Sequence, residues 1–412
     1  MNRVVVTGMG IISPIGNDVA SFGAALKRGD VGIAPITKVS VAGSPIHLAA
    51  EVKDFNPEPV IAKKDAKRLD TFSQYALVAS EEAVASSGLD LEKINKDRFG
   101  VIISSGIGGM ETFESEVAKL HSKEDSMRIA PLFIPIIISN MAAGNVALRY
   151  EAKGICTSVV TACAGATHSI GEAFRAIKHG YADIMLAGGT EASITRASVA
   201  GFNALTALSQ SSDPARGSIP FDKDRNGFVI GEGSGILVIE SLEHAKARGA
   251  NILAEIVGYG ANCDAYHMTA PSPDGSGAAK CMTLALKEAG IAPQDINYIN
   301  AHGTSTPLND AAESAAIKKA FGDHAKNLLV SSTKSQIGHL LGAAGGVEAI
   351  ATIIAINEGF APPTMGYQNP DEDCDLNYVP NAAIDIDIKY ALSNNFGFGG
   401  HNAALAFKKW EE

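Results

Sequence analysis

No C-x-x-C pair occurs among the five cysteines (Cys156, Cys163, Cys263, Cys281 and Cys374), and an odd number without such pairs suits neither a disulfide framework nor a zinc site. Positive charge is also short: 34 lysines and arginines stand against 45 acids, a formal charge of -11. A surface of that sign repels polyanions, which argues against nucleic acid, and an acidic partner would need a local basic patch. Long apolar runs are missing too. Ile129 to Ile138 carries Pro131 and Pro135 and falls well short of the roughly 20 residues that span a bilayer, so no membrane span is expected. The first residues, MNRVVVTGMG, enter a β-branched strand without the apolar stretch of a secretory signal, and the expected location is the cytoplasm.

What is present is ample material for a core: 412 residues, 46% of them hydrophobic, with 42 glycines. A chain this long suits two large units. Short β-branched runs (Val4 to Thr7, Val101 to Ser104, Thr157 to Thr161, Ile184 to Ala187) alternate with helical stretches such as Thr71 to Ser87, an α/β pattern. A second series starts near Ile252, with helices expected from about Ala278 to Ala289, around Ala311 to Phe321 and after Gly345. The strand and helix in GILVIESLEHAKARG end at Gly249 and place a boundary near residue 250, dividing the chain into 1–250 and 251–412. No low-complexity linker marks that boundary, so the halves should pack together.

Three strand ends carry chemistry. TSVVTACAGATHSIGEAFRAIKHG reads as a buried strand, Cys163, then a helix with apolar positions Ala166, Ile170, Ala173, Phe174 and Ile177. A cysteine at a helix N-terminus favours the thiolate, although a small buried hydrophobe is the alternative there and the preferred reading for Cys156. INYINAHGTSTP ends a strand at His302, and LLVSSTKSQIGHLLGAAGG presents Lys334 and His339 before a glycine- and alanine-rich helix. A lone histidine is usually structural; two histidines, a lysine and a cysteine at strand ends, where α/β sheets put their ligand crevices, form a less accidental set. NNFGFGGHN places three glycines around Phe396 and Phe398, as a loop approaching a ligand by its backbone would, or a plain turn.

The motifs VVVTGMG, TACAGATHSIG, DAYHMTAP, NAHGTSTPLND, STKSQIGHLLGAAGGVEAI and NNFGFGGHN together resemble the β-ketoacyl-[acyl-carrier-protein] synthases of bacterial fatty acid synthesis, most closely the synthase II type, over essentially the full length. The resemblance implies the thiolase-like fold, two similar α/β halves in five α-β-α-β-α layers, usually as a homodimer. It implies a decarboxylative condensation in which Cys163 carries the acyl chain as a thioester, while His302 and His339 stabilise the enolate of malonyl-[acyl-carrier-protein]. Lys334 would orient the site with Glu348 as partner, and the N–H groups of Cys163 and Phe398 would form the oxyanion hole. Thr304 and Thr306 would meet the phosphopantetheine arm, beside Phe396 and Gly399. Ile107 would line the acyl pocket, and Phe133 its far end at the dimer interface. No metal or other cofactor is implied.

Lys63, Lys64, Lys67 and Arg68, with Arg128, would dock the acidic acyl carrier protein; without the resemblance they read as a solvated face. Four positions depart from the commoner pattern: Gln336, Ile337, His401, and Thr206 where some relatives have a carrier-contacting arginine. Rival readings each lack a feature. A thiolase would have a second cysteine in the glycine loop, a synthase III an asparagine in place of one histidine, and a non-catalytic chain-length-factor subunit no cysteine at 163. A cysteine hydrolase would leave Lys334 and His339 unexplained.

Overall fold

The computed structural model describes residues 1–122 and 127–411. Ten strands form one hydrogen-bonded sheet: β1 Val4–Ile12, β2 Phe99–Ser104, β3 Cys156–Thr157, β4 Ile184–Glu191, β5 Gly233–Ser241, β6 Ala254–Cys263, β7 Tyr298–Asn300, β8 Leu329–Ser331, β9 Tyr390–Gly397 and β10 His401–Lys409. Their spatial order is β3-β2-β4-β5-β1-β6-β10-β9-β7-β8. Adding five to each label of the first half gives the second. The pairing senses repeat as well: β1 with β5 and β5 with β4 are antiparallel, β4 with β2 and β2 with β3 parallel. The partners β6 with β10, β10 with β9, β9 with β7 and β7 with β8 follow the same senses. The two copies meet where Val4 to Val6 of β1 pair with Ala254 to Ile256 of β6.

Helices cover the sheet in matching places. α1 Thr71–Ser87 lies on β1 and β5, and its counterpart α3 Ser276–Ala289 on β6 and β10; α4 Pro307–Phe321 packs beside α3. The middle layer is α2 Gly165–Lys178 and α5 Ala344–Glu358, which touch each other and strands of both halves. This is the thiolase-like arrangement of five layers. A helix between two sheet layers is buried all round, and α5 is: every residue from Ala344 to Ile356 is buried, Glu348 and Thr352 being the polar ones among them. The stretch Leu341–Glu358 is long and apolar enough to cross a membrane, but 89% of it is buried inside the protein, so it is core. Close approach requires glycine here, since a Cβ on Gly235 of β5 would sit 2.4 Å from the Gly346 carbonyl carbon.

Local signals account for the ends of several elements. Asp70 caps α1 by accepting from the Phe72 N–H, and Gly88 ends it at φ +65°. α4 begins at Pro307, earlier than the apolar pattern indicates, because proline fits the first helical position. The strand expected over Thr157 to Thr161 is cut to Cys156–Thr157. It lies at the sheet edge with β2 as its neighbour, and the chain leaves the ladder after Thr157. Cys156 is consequently exposed in the chain, not the buried hydrophobe its β-branched neighbours suggest.

Candidate active site

Cys163 sits in a tight turn, Ala162–Ala164, that feeds α2 at Gly165, and Ala162 just before it holds φ +49°, a left-handed conformation unfavourable for a residue with a Cβ. The glycine loop between β9 and β10 closes on this turn. A Cβ on Gly397 would lie 2.6 Å from the Thr161 carbonyl oxygen and 3.1 Å from the Cys163 nitrogen, so only glycine allows the approach. It sets the loop backbone beside Cys163, where the Phe398 N–H and the N–H of Cys163 itself lower the thiol pKa. Two backbone donors at one sulfur are suitably placed for a thioester carbonyl oxygen as it gains charge.

The expected thiolate is not what the site provides at rest. Burial pushes the Cys163 thiol up to about 11; the Lys334 charge and the two N–H groups oppose that rise, and Glu191 adds to it. Desolvation of a fully enclosed sulfur outweighs the helix N-terminus.

His302 follows β7, and His339 follows the short helix Lys334–Ile337 after β8, so both imidazoles come from equivalent strand ends of the second half. Both are buried, with ring centroids 5.4 Å apart, edge to face. Their tautomers follow from their partners. The Leu341 N–H donates to His339 Nδ1 at 3.2 Å, which leaves the proton on Nε2. For His302 the partner is Asn395, whose amide is oriented by two other contacts: its oxygen accepts from the Thr167 hydroxyl, and its nitrogen donates to Glu348 at 2.7 Å. That nitrogen also lies 3.4 Å from His302 Nδ1, so the proton again belongs on Nε2. Burial, and then the positive Lys334, hold both imidazoles well below the ordinary histidine range. They are neutral donors at pH 7.

Lys334 and Glu348 are both buried and ion-paired, so neither is the surface group its type suggests. Glu313 of α4 accepts from the His302 and Gly303 N–H groups at 2.9 and 2.8 Å, and burial raises its carboxyl to about 7. Glu313 lies beyond the motif NAHGTSTPLND, and Asn395 is marked only by its place in the glycine loop. Asn395 stands inside NNFGFGGHN, and Glu313 shares the inner face of α4 with buried Asp310 and Ser314, a polar stripe at helical spacing that is the available signal.

A cavity of about 390 Å³ joins these groups to the surface. Cys163, His302 and His339 line it with Phe396 and Phe398, and Thr304 and Thr306, their hydroxyls 2.8 Å apart, line it beside exposed Leu308. Gly399, at φ +87°, is exposed on the loop outside the lining. Ile107 and Phe133 are not among the residues that line this cavity. Ile107 is partly exposed, and Phe133 belongs to the helix Phe133–Ile137, stacked 6.2 Å from Phe113. Both belong to an apolar face that a single chain leaves uncovered, with Phe113, Leu132, Ile134 and Ile138 exposed in the same region.

Of the departing positions, Gln336 and Ile337 are buried, Gln336 donating to the Leu26 and Pro363 carbonyls. Thr206 lines the cavity at φ +53°, and the His401 ring lies against Gly399. Lys63, Lys64, Lys67 and Arg68 are all exposed, on and just after the helix Lys63–Ala66, with Lys63 3.8 Å from Glu58; Arg128 is exposed as well.

A thiol titrating at about 11 has a testable consequence. Alkylation of Cys163 by iodoacetamide should rise about tenfold per unit between about pH 6 and 9, because the rate follows the thiolate fraction. Lys334→Met, lacking the charge that opposes burial, should slow it throughout. A rate already level below about pH 8 would show a preformed thiolate.

Comparison with known proteins agrees with this geometry. Residues 1–245 match the family model "Beta-ketoacyl synthase, N-terminal domain", and residues 253–368 match "Beta-ketoacyl synthase, C-terminal domain". The 3-oxoacyl-[acyl-carrier-protein] synthase 2 of Staphylococcus aureus (strain COL) is 54% identical over 409 residues, covering 99% of each chain. The protein of the same name from Synechocystis sp. is 51% identical over 410 residues, 99% of this chain and 98% of the other. Among solved structures, a type II polyketide ketosynthase bound to a hexaketide, in complex with its acyl-carrier protein, superposes with a TM-score of 0.92 at 36% identity, covering 99% of this chain and all of that one. With both family models matched and half of its residues shared with full-length relatives, the chain belongs to the β-ketoacyl synthase family.

Proposed function

We infer that this protein is a condensing enzyme of fatty acid elongation, joining an enzyme-bound acyl chain to malonyl-[acyl-carrier-protein] to give 3-oxoacyl-[acyl-carrier-protein] and carbon dioxide. The observation that carries this reading is the meeting, in one cavity, of Cys163 with two neutral histidines that both present Nε2–H. Cys163 sulfur attacks the acyl thioester and displaces the carrier thiol, which leaves with the proton. The malonyl thioester then loses carbon dioxide, and the electron pair of the broken bond becomes an enolate whose oxygen accepts from His302 and His339. The enolate carbon attacks the acyl thioester; negative charge develops on its oxygen between the Cys163 and Phe398 N–H groups, and Cys163 leaves to be reprotonated. Decarboxylation supplies the carbanion, so the reaction as described asks for no metal or redox cofactor beyond the phosphopantetheine arm on the carrier.

Lys334 and Glu348 orient the site through Asn395, Thr304, Thr306 and Phe396 border the path of the arm, and Gly399 stands outside it on the loop. The apolar face around Ile107 and Phe133 fits a second copy of the chain: β3 is an edge strand with no outer partner among the described residues, and open edges and apolar patches mark interfaces. In such a homodimer Ile107 and Phe133 would wall the acyl pocket. The reading places the enzyme in the cytoplasm, where the soluble carrier would meet Lys63, Lys64, Lys67, Arg68 and Arg128.

Cys163→Ala should form no acyl adduct with an acyl-carrier substrate by intact-mass measurement, whereas His302→Ala and His339→Ala should acylate yet release carbon dioxide from malonyl carrier poorly. An adduct on the cysteine variant, or full decarboxylation by both histidine variants, would overturn the roles. Asn395→Ala should behave as a milder His302→Ala, decarboxylating about tenfold more slowly with acylation largely kept. Charge reversal at Lys64 and Lys67 should raise KM for carrier substrates and flatten its salt dependence, while leaving pantetheine thioesters nearly unaffected. Equal losses on both substrate types would place the dock elsewhere.

A further inference from the structure

Outside the groups used above, one buried acid is surrounded by donors alone. Glu191 ends β4, fully buried, and no lysine or arginine pairs with it among the described residues. One oxygen accepts from the Ser105 hydroxyl at 3.1 Å, the Ile107 N–H at 3.3 Å and the Ser193 hydroxyl at 2.9 Å. The other accepts from the Gly106 N–H at 2.7 Å and the Gly342 N–H at 3.0 Å. Three of these five are backbone N–H groups that can only donate, and they engage both oxygens, which is the pattern of an ionised carboxylate.

The donors come from opposite sides of the site. Ser105, Gly106 and Ile107 form the turn after β2, on the apolar side; Gly342 belongs to the turn that follows His339. These two turns are pressed together, since a Cβ on Gly342 would lie 2.2 Å from the Gly106 nitrogen. Leu341, between His339 and Gly342, holds φ +47°, a left-handed conformation that needs support from its surroundings. Its N–H is the one that donates to His339 Nδ1.

We propose that Glu191 is a positioning residue for the reaction inferred above: its carboxylate locks the turn at Ile107 onto the turn at Leu341 and Gly342, and thereby keeps His339 oriented as an Nε2–H donor. The assignment rests on that functional reading for its decarboxylation step only. A second consequence is independent of it. Burial pushes the Glu191 carboxyl up, opposed by the Gly106 and Gly342 N–H groups and the Ser193 and Ser105 hydroxyls; as the anion these donors favour, it disfavours the Cys163 thiolate, which Lys334 favours. Tying the histidine down and restraining the nucleophile are opposite influences on the two half-reactions.

Glu191→Gln separates them. The amide keeps the shape but removes the charge and turns an NH2 toward backbone N–H groups. Iodoacetamide should alkylate Cys163 about threefold faster below the thiol pKa, while release of carbon dioxide from malonyl carrier should fall about tenfold. Glu191→Asp keeps the charge but shortens the reach: alkylation should stay at the parent rate, with decarboxylation still lowered. A merely structural acid would instead lower both rates in both variants, in step with a falling Tm, and that result overturns the proposal, as does parent-like decarboxylation in either variant. If the glutamine variant does not fold, the aspartate variant decides alone by the same criteria. A parent enzyme that neither decarboxylates nor condenses would defeat the functional reading, whereas the alkylation comparison would still report on the charge of Glu191.

Discussion

The ion pair between Lys334 and Glu348 is the constraint from which the site is built. Both are buried, and removing one partner of such a pair typically costs about 3 to 5 kcal/mol because the other is left unpaired out of water. Lys334 is therefore fixed at the end of β8 and Glu348 in the first turns of α5. The second Glu348 oxygen takes the Asn395 amide, and Asn395 passes the order on to Thr167 of α2 and to His302. Burial first, and then the positive Lys334, keep His302 and His339 deprotonated, and the same cation opposes the burial that raises Cys163.

The repeated topology explains how these residues meet. In each half a parallel strand feeds a helix of the middle layer: β3 leads to α2, and β8 leads to α5. Cys163 lies at the first junction, and Lys334 and His339 lie at the second. Because α2 and α5 pack on one another between the two halves of the sheet, their entry turns face the same cavity. The equivalent positions carry different side chains, a cysteine in one copy and two histidines and a lysine in the other, so two similar units form one asymmetric site.

Much of this was legible in the sequence because it is local. Periodicity marked the helices, β-branched runs the strands, and the glycine-rich motifs the turns that hold Cys163, His302, His339 and Phe398. What escaped depends on tertiary burial. Glu313 and Glu191 read like ordinary acids until the fold removes water from them, and the thiol shift is set by how completely Cys163 is enclosed, not by its place at a helix start. Cys156 went wrong in the opposite sense, since β-branched neighbours do not reveal that their strand lies at an edge. Ile107 and Phe133 lie on a partly exposed apolar face away from the lining of the cavity at Cys163, a placement that local sequence does not reveal.

The hydrogen bonds to the two imidazoles also separate this site from a hydrolase that pairs cysteine with histidine. There the ring must take the thiol proton, which requires a bare nitrogen facing the sulfur. Here each Nδ1 is already an acceptor, for the Leu341 N–H in His339 and for the Asn395 amide in His302, and each Nε2 carries a proton. Neither ring is free to act as a base without becoming an imidazolium beside Lys334, which that charge and burial both oppose. Thioester exchange does not need such a base, because the departing thiolate takes up the proton that the attacking thiol gives up. Hydrolysis would require deprotonating water, for which these rings supply no acceptor. A buried thiol titrating at about 11 beside two committed donors therefore suits transfer of an acyl group from one sulfur to another, followed by stabilisation of an enolate.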